Sequence, residues 1–146
     1  MRREQARVLR YGIGTASLLL TLALGAMVAS GPSGASPRRV NVVTVTFRDK
    51  GSTVHLRVGE RLRVILGSTY WSFKPSSNSR TLAQMGAVKV VPRAGCVAGQ
   101  GCGTVTALFR ALAPGTAAVS ASRVSCGEAL RCSKGNGSFS VTVRVN

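Results

Sequence analysis

From Val40 onward, apolar and polar residues alternate in short runs broken by Gly, Pro, Asn and Asp. In Val40–Phe47, Val43, Val45 and Phe47 alternate with Thr44 and Thr46, and Asp49-Lys50-Gly51 then turns the chain. In Thr53–Val58 the apolar face is Val54, Leu56 and Val58, with His55 and Arg57 on the other. Gly59-Glu60 makes a two-residue turn into Leu62, Val64 and Leu66. A period of two residues over such runs predicts half-buried strands. Short turns between them predict antiparallel pairing with one solvated face.

The most patterned stretch is Thr104–Arg123, in which Val105, Ala107, Phe109 and Ala111 alternate before Pro114-Gly115, and Ala117, Val119 and Ala121 after it. Pro sets φ at the first central position of a type II turn, and Gly accepts positive φ at the second. Its two strands either pair as a hairpin or cross between sheets. Val88–Val91 forms a strand that stops at Pro92, and Ser138–Val145 is the cleanest strand, with Phe139, Val141, Val143 and Val145 inward. Gly67–Gln84 carries no strand period and holds the one aromatic concentration, Tyr70-Trp71-Ser72-Phe73. About seven strands with turns at this spacing predict an all-β, immunoglobulin-like antiparallel β-sandwich over residues 40–146.

The N-terminal segment has another character. Arg2, Arg3, Arg7 and Arg10 precede an uncharged apolar run, Tyr11–Ala29, and a small-residue exit at Val28-Ala29-Ser30. Basic, apolar and small-residue regions in that order form an export signal. The run is also just long enough to span a bilayer. Residues 1–30 therefore read as a signal peptide or an N-terminal membrane anchor helix, engaging the membrane during export. Residues 31–39, GPSGASPRR, read as a flexible linker. The domain is then expected to be secreted or extracytoplasmic, in a bacterial cell envelope, and anchored by residues 11–29 if the segment is retained.

Cysteine usage agrees with that compartment. Cys96–Cys102 and Cys126–Cys132 bound two C-x5-C loops, and four Cys in an exported domain point to two disulfides. Three connectivities are open, of which the repeated spacing favours the two local pairs. Structural zinc pairs are usually closer spaced, so no metal is expected.

The charge is strongly positive, with 20 Lys and Arg against 4 Asp and Glu. Such a surface attracts anionic envelope polymers; nucleic acid is not expected as a partner. Arg57, Arg61, Arg63, Lys89 and Arg144 form the outward row that would serve such binding. A GC-rich coding sequence writes the same excess of Arg, Ala, Gly and Val without any selected partner.

Catalytic sets are missing. His55 is the single histidine and lies mid-strand on an outward face, and Asp49, Glu60 and Glu128 are separated from one another. No G-x-S-x-G elbow occurs, and Gly99–Gly103 is Gly-rich without a following helix. Nothing here assembles a triad or a carboxylate pair. The chain is expected to be non-enzymatic and to need no cofactor.

VHLRVGERLRVIL and FRALAPGTAAVSA resemble the two scaffold segments of chagasin-type cysteine-protease inhibitors, whose domains are Ig-like sandwiches. In that family V-G-x-x-L-x-V-x-L leads to a loop and a Gly-aromatic-x-Trp element, and F-x-A-x-x-P-G-T leads to a further loop. Gly59, Leu62, Val64, Leu66, Trp71, Phe109, Ala111, Pro114, Gly115 and Thr116 fall on that pattern. The family's inhibitory loops carry N-P-T-T-G, Gly-rich and R-P-W/F motifs. Here the first loop is the shorter Leu66–Trp71, the second is the stapled Ala98–Gly103, and the third keeps Arg123 without Pro or aromatic. The A-x-x-P-G-T-A phrase is also similar to bacterial group-2 Ig-like domains, so it implies a fold more firmly than an activity.

The resemblance implies contacts at one end of the sandwich. The candidate residues are Ser68, Thr69, Tyr70 and Trp71, then Gly99, Gln100 and Gly101, then Arg123 and Arg131. The implied partner is a papain-type protease or another envelope protein. Trp71 also fits the buried strand tryptophan of an Ig core. The alternatives are a basic polyanion binder and a purely structural surface domain.

Overall fold

The computed structural model describes residues 39–146 except Glu128, Ala129 and Lys134. The expected signal or anchor segment and nearly all of the linker lie outside the described residues. Among the described residues no helix is long and apolar enough to cross a membrane.

The alternating runs form strands as their side-chain period requires. In chain order they are β1 (Val42–Thr46), β2 (Thr53–Leu56), β3 (Arg61–Gly67), β4 (Ser72–Phe73), β5 (Leu82–Gln84) and β6 (Lys89–Pro92). There follow β7 (Gly103–Ala111), β8 (Gly115–Ser122), β9 (Ser125–Gly127), β10 (Leu130–Arg131) and β11 (Ser138–Val145). One sheet runs β1-β3-β7-β5, with β6 also on β7; a second runs β2-β11-β8-β4; β9 and β10 form a small ribbon. The inward residues of both large sheets share one core. Leu62, Val64, Leu66, Val105 and Phe109 come from the first, and Leu56, Val119, Phe139, Val141 and Val143 from the second. Outward positions such as Arg63, Arg110, Ser140 and Arg144 are exposed.

Among the described residues there are eleven strands where about seven were expected, because several segments are only two or three residues long and show no period. Two of them, β4 and β5, lie inside Gly67–Gln84. There Phe73 pairs with Ala121, and Leu82 with Ala111. Phe47 leaves its predicted strand for a 3-10 turn over Phe47–Asp49, capped by Thr46 N–H donating to Asp49 Oδ2 at 2.7 Å.

The larger correction concerns strand neighbours. Pairing is not uniformly antiparallel: β1 runs parallel to β3, and β2 parallel to β11. Gly59-Glu60 is not a hairpin turn, since β2 and β3 belong to different sheets. The crossing is held by Gly59 N–H to Ala111 O at 2.9 Å and Ala111 N–H to Glu60 O at 3.0 Å. Because the chain turns off its sheet after Leu56, Val58 leaves its predicted face and is 49% exposed.

Pro114-Gly115 likewise joins strands of different sheets, with β7 in the first and β8 in the second. Gly115 has φ +145, and a Cβ there would stand 2.7 Å from Thr81 Oγ1. Thr81 is itself buried and anchored by Asn78 Nδ2 at 3.0 Å. Glycine is needed at Gly115 for backbone conformation and close approach together.

Candidate recognition site at the loop end

Strands β3, β7 and β8 converge on one end of the molecule, where Gly67 pairs with Thr104 and Ser122 with Ser138. Three loops leave from there. Both disulfides are the local ones, Cys96–Cys102 with Cα atoms 5.8 Å apart and Cys126–Cys132 at 4.9 Å. Such pairs are typical of proteins that fold in an oxidising compartment.

The first loop and the first cysteine loop are joined by backbone bonds. Ser68 N–H donates to Gly103 O, and Thr69 N–H to Gly101 O, both at 2.8 Å. Tyr70 adds a side-chain bond, its hydroxyl donating to Gly99 O at 2.6 Å. The Tyr70 ring packs against Gly101, where a Cβ would meet ring carbon Cε2 at 2.2 Å. Gly101 has φ +64, the left-handed conformation that glycine adopts most readily. Ser68 is the one non-glycine residue with positive φ among the described residues, at +105. Its Oγ accepts from Tyr70 N–H at 3.3 Å, a local bond that helps hold a costly conformation.

The second cysteine loop packs alongside, since a Cβ on Gly127 would be 3.7 Å from Gln100 O. Between the loops lies a shallow cleft of about 650 Å³ lined by Ser68, Arg93, Gln100, Gly101, Gly127 and Leu130, among others. Ser68, Thr69, Tyr70, Gly99, Gln100 and Gly101 are thus brought together, and Arg131 stands exposed on β10 close by in sequence.

Trp71 and Arg123 play a different part. Trp71 is 4% exposed, belongs to the core and donates from Nε1 to Gly67 O at 2.9 Å. Phe47 packs on it with ring centroids 5.7 Å apart. The Arg123 guanidinium lies 4.7 Å from the Trp71 ring centroid, and its Nε donates to Asn136 O at 3.1 Å. Partial burial lowers the Arg123 pKa from its ordinary value, and the ring face supplies the compensating electrostatic attraction. The two residues lock the base of the loops.

Residues that the sequence did not single out complete this end. Of the exposed large hydrophobic residues, the three most exposed are Val124 at 78%, Leu130 at 68% and Val97 at 62%. All three lie in or beside the cysteine loops. The available signal was apolar residues inside disulfide loops without any strand period to bury them.

The basic row does not form one surface. Arg61, Arg63 and Lys89 lie on the outward face of the first sheet. Arg144 lies on the outward face of the second, beside His55, and Arg57 follows β2 at the crossing. The sheet switch at Gly59 divides the row. Among the described residues no group of three or more His, Cys, Asp or Glu could hold a metal, and no cysteine is free.

No protein-family model and no curated protein matches the sequence. Solved structures do match. Amebosin, solved in solution, aligns at TM-score 0.51 and 15% identity, over 73% of this chain and 98% of that one. The cysteine protease inhibitor EhICP2 from Entamoeba histolytica aligns at TM-score 0.52 and 11% identity, over 76% of this chain and 100% of that one. At these identities the likeness is one of fold. It extends over most of the domain the scaffold motifs span, so the resemblance to the chagasin-type scaffold holds for the fold.

Proposed function

We propose that the chain is an exported, non-enzymatic Ig-like binding module of a bacterial cell envelope, with the β-sandwich of residues 40–146 behind a leader (1–30) and linker (31–39). Its loop end recognises a protein partner, and a papain-type cysteine protease is the partner best suited to the fold. The observation that carries this reading is the loop end itself. The Ser68–Tyr70 segment is hydrogen-bonded to the first disulfide-stapled loop, the second stapled loop packs alongside, and Val97, Val124 and Leu130 in or beside these loops are exposed to solvent. Exposed apolar groups grouped on a rigid, polar-framed surface suit protein recognition. Loops ordered before binding lose less entropy on association.

The inhibitory motifs of chagasin-type proteins are replaced here, so the contacts differ in detail. Ser68–Tyr70 stands at the N-P-T-T-G position, Gly99–Gly101 in the Gly-rich loop, and Val124 beside Arg123 at the R-P-W/F position. The test is inhibition of papain by the purified full chain. Inhibition at or below micromolar protein supports this partner. No inhibition at that concentration removes the protease while leaving the loop end open to another envelope protein.

A further inference from the structure

A second site lies at the pole opposite the cysteine loops. Arg61 pairs with Arg110 at that end of β3 and β7, and Gly67 with Thr104 at the other. Six residues of strand separate the ends, about 20 Å at the usual rise. At this pole Arg39, Arg57 and Arg110 line a cavity of about 520 Å³ together with Asn41, Val58 and Glu60. Its walls come from three separate segments, tied by Arg61 N–H to Asn41 O and Ala111 N–H to Glu60 O, both at 3.0 Å.

The charges in this cavity are unbalanced. Glu60 is its one carboxylate, and both oxygens are engaged. Oε2 accepts from Arg57 N–H at 2.9 Å, and Oε1 from Asn41 Nδ2 at 3.2 Å. These bonds hold its pKa below the usual carboxylate value, so it stays ionised. Three guanidinium groups still exceed it by two charges. Beside the cavity, Arg61 and Arg110 are direct cross-strand partners, a like-charge arrangement that costs stability. Arg61 Nε is buried and has no hydrogen-bond acceptor, a further cost. An anion with several oxygens, held beside Arg110, would offset the like-charge pairing.

We propose that this pole binds a phosphate group, held by Arg39, Arg57 and Arg110. The guanidinium fork pairs with phosphate in bidentate fashion, and several forks around one cavity suit a tetrahedral oxyanion with oxygens on every side. The cavity is larger than a bare phosphate ion. Val40, Val58 and Leu112, each 46–49% exposed, rim this end and suit the carbon part of a phosphate ester. The proposal is independent of the loop-end reading.

The test is a titration of the full chain, by NMR or calorimetry, with inorganic phosphate in one arm and glycerophosphoglycerol, a soluble diester headgroup, in the other. Two double variants are compared, Arg57→Gln/Arg110→Gln and Arg63→Gln/Arg144→Gln, which remove equal charge. Thermal melts establish that each is folded. Saturable binding is expected, weakened about tenfold or more in the first variant, the loss typical of charge-assisted bonds, and changed less than about twofold in the second. Tighter binding of the diester assigns a lipid or polymer headgroup; tighter binding of the free ion assigns soluble phosphate. Equal weakening in both variants, or no saturation in either arm, overturns the proposal.

Discussion

Substituting Gly101 by alanine tests how the loop end is held. Its φ of +64 places the residue in the left-handed region, where a Cβ costs about 1–2 kcal/mol. That Cβ would also fall 2.2 Å from Tyr70 Cε2 and 2.4 Å from Cδ2, so the ring must leave. With it goes the 2.6 Å bond from the Tyr70 hydroxyl to Gly99 O, worth about 0.5–1.5 kcal/mol. The sum is roughly 1.5–3.5 kcal/mol. Gly99→Ala is the control, because Gly99 has φ +87 but no atom within 4 Å of its would-be Cβ. It should lose only the backbone contribution, about 1–2 kcal/mol. The difference of about 1 kcal/mol corresponds to a Tm gap of roughly 4–8 °C for a domain of this size. Hydrogen exchange gives the local reading. Gly101→Ala should speed exchange of the Thr69 and Ser68 amides, which donate to Gly101 and Gly103, and Gly99→Ala should not. Equal melting temperatures together with unchanged Ser68 and Thr69 protection would refute the packing argument.

Removing the first staple with Cys96→Ser/Cys102→Ser should lower stability by about 2 kcal/mol, the chain-entropy value for so short a loop, seen as a lower urea midpoint. The same variant should weaken partner binding, because the carbonyls of Gly99 and Gly101 are no longer held for Tyr70 and Thr69. Arg123→Gln should cost about 1–2 kcal/mol through the lost cation–π contact and hydrogen bond, and shift the emission of Trp71, the single tryptophan. Glu60 is held below its usual pKa by its bonds to Arg57 N–H and Asn41. Its contribution is therefore full above the unfolded-state pKa and is lost as pH falls through the lower folded value. Glu60→Gln should flatten the acid limb of the Tm–pH curve; an unchanged limb would remove that assignment. Ser68→Gly should raise Tm slightly, since relief of a positive φ outweighs one weak local bond.

Legibility in the sequence varied with the physics of each element. Phe139–Val145 and Leu62–Leu66 could be read directly, because period 2 places every second side chain in the core. That period tells which face a residue takes, but not which strand lies beside it. The Gly59-Glu60 connection therefore looked like a hairpin turn, and Pro114-Gly115 left a hairpin and a sheet crossing both open, while both cross between sheets. Segments as short as Ser72–Phe73 and Leu82–Gln84 have no period to read. At the loop end, the repeated C-x5-C spacing pointed to the two local disulfides that form. The division of labour between exposed Tyr70 neighbours and buried Trp71 under Arg123 is a three-dimensional fact. The basic pole was hidden for a similar reason, since Arg39, Arg57 and Arg110 meet only through the β2–β3 crossing.

If the loop end is the recognition surface, a bound partner must cover its amides. Hydrogen-exchange footprinting of the full chain with and without papain tests it most directly. New protection is expected only at the amides of Gly67–Tyr70, Val97–Gly103 and Val124–Arg131. Protection centred on the outward face of either large sheet or on the basic pole would overturn that reading, whereas none at saturating protease removes papain as the partner.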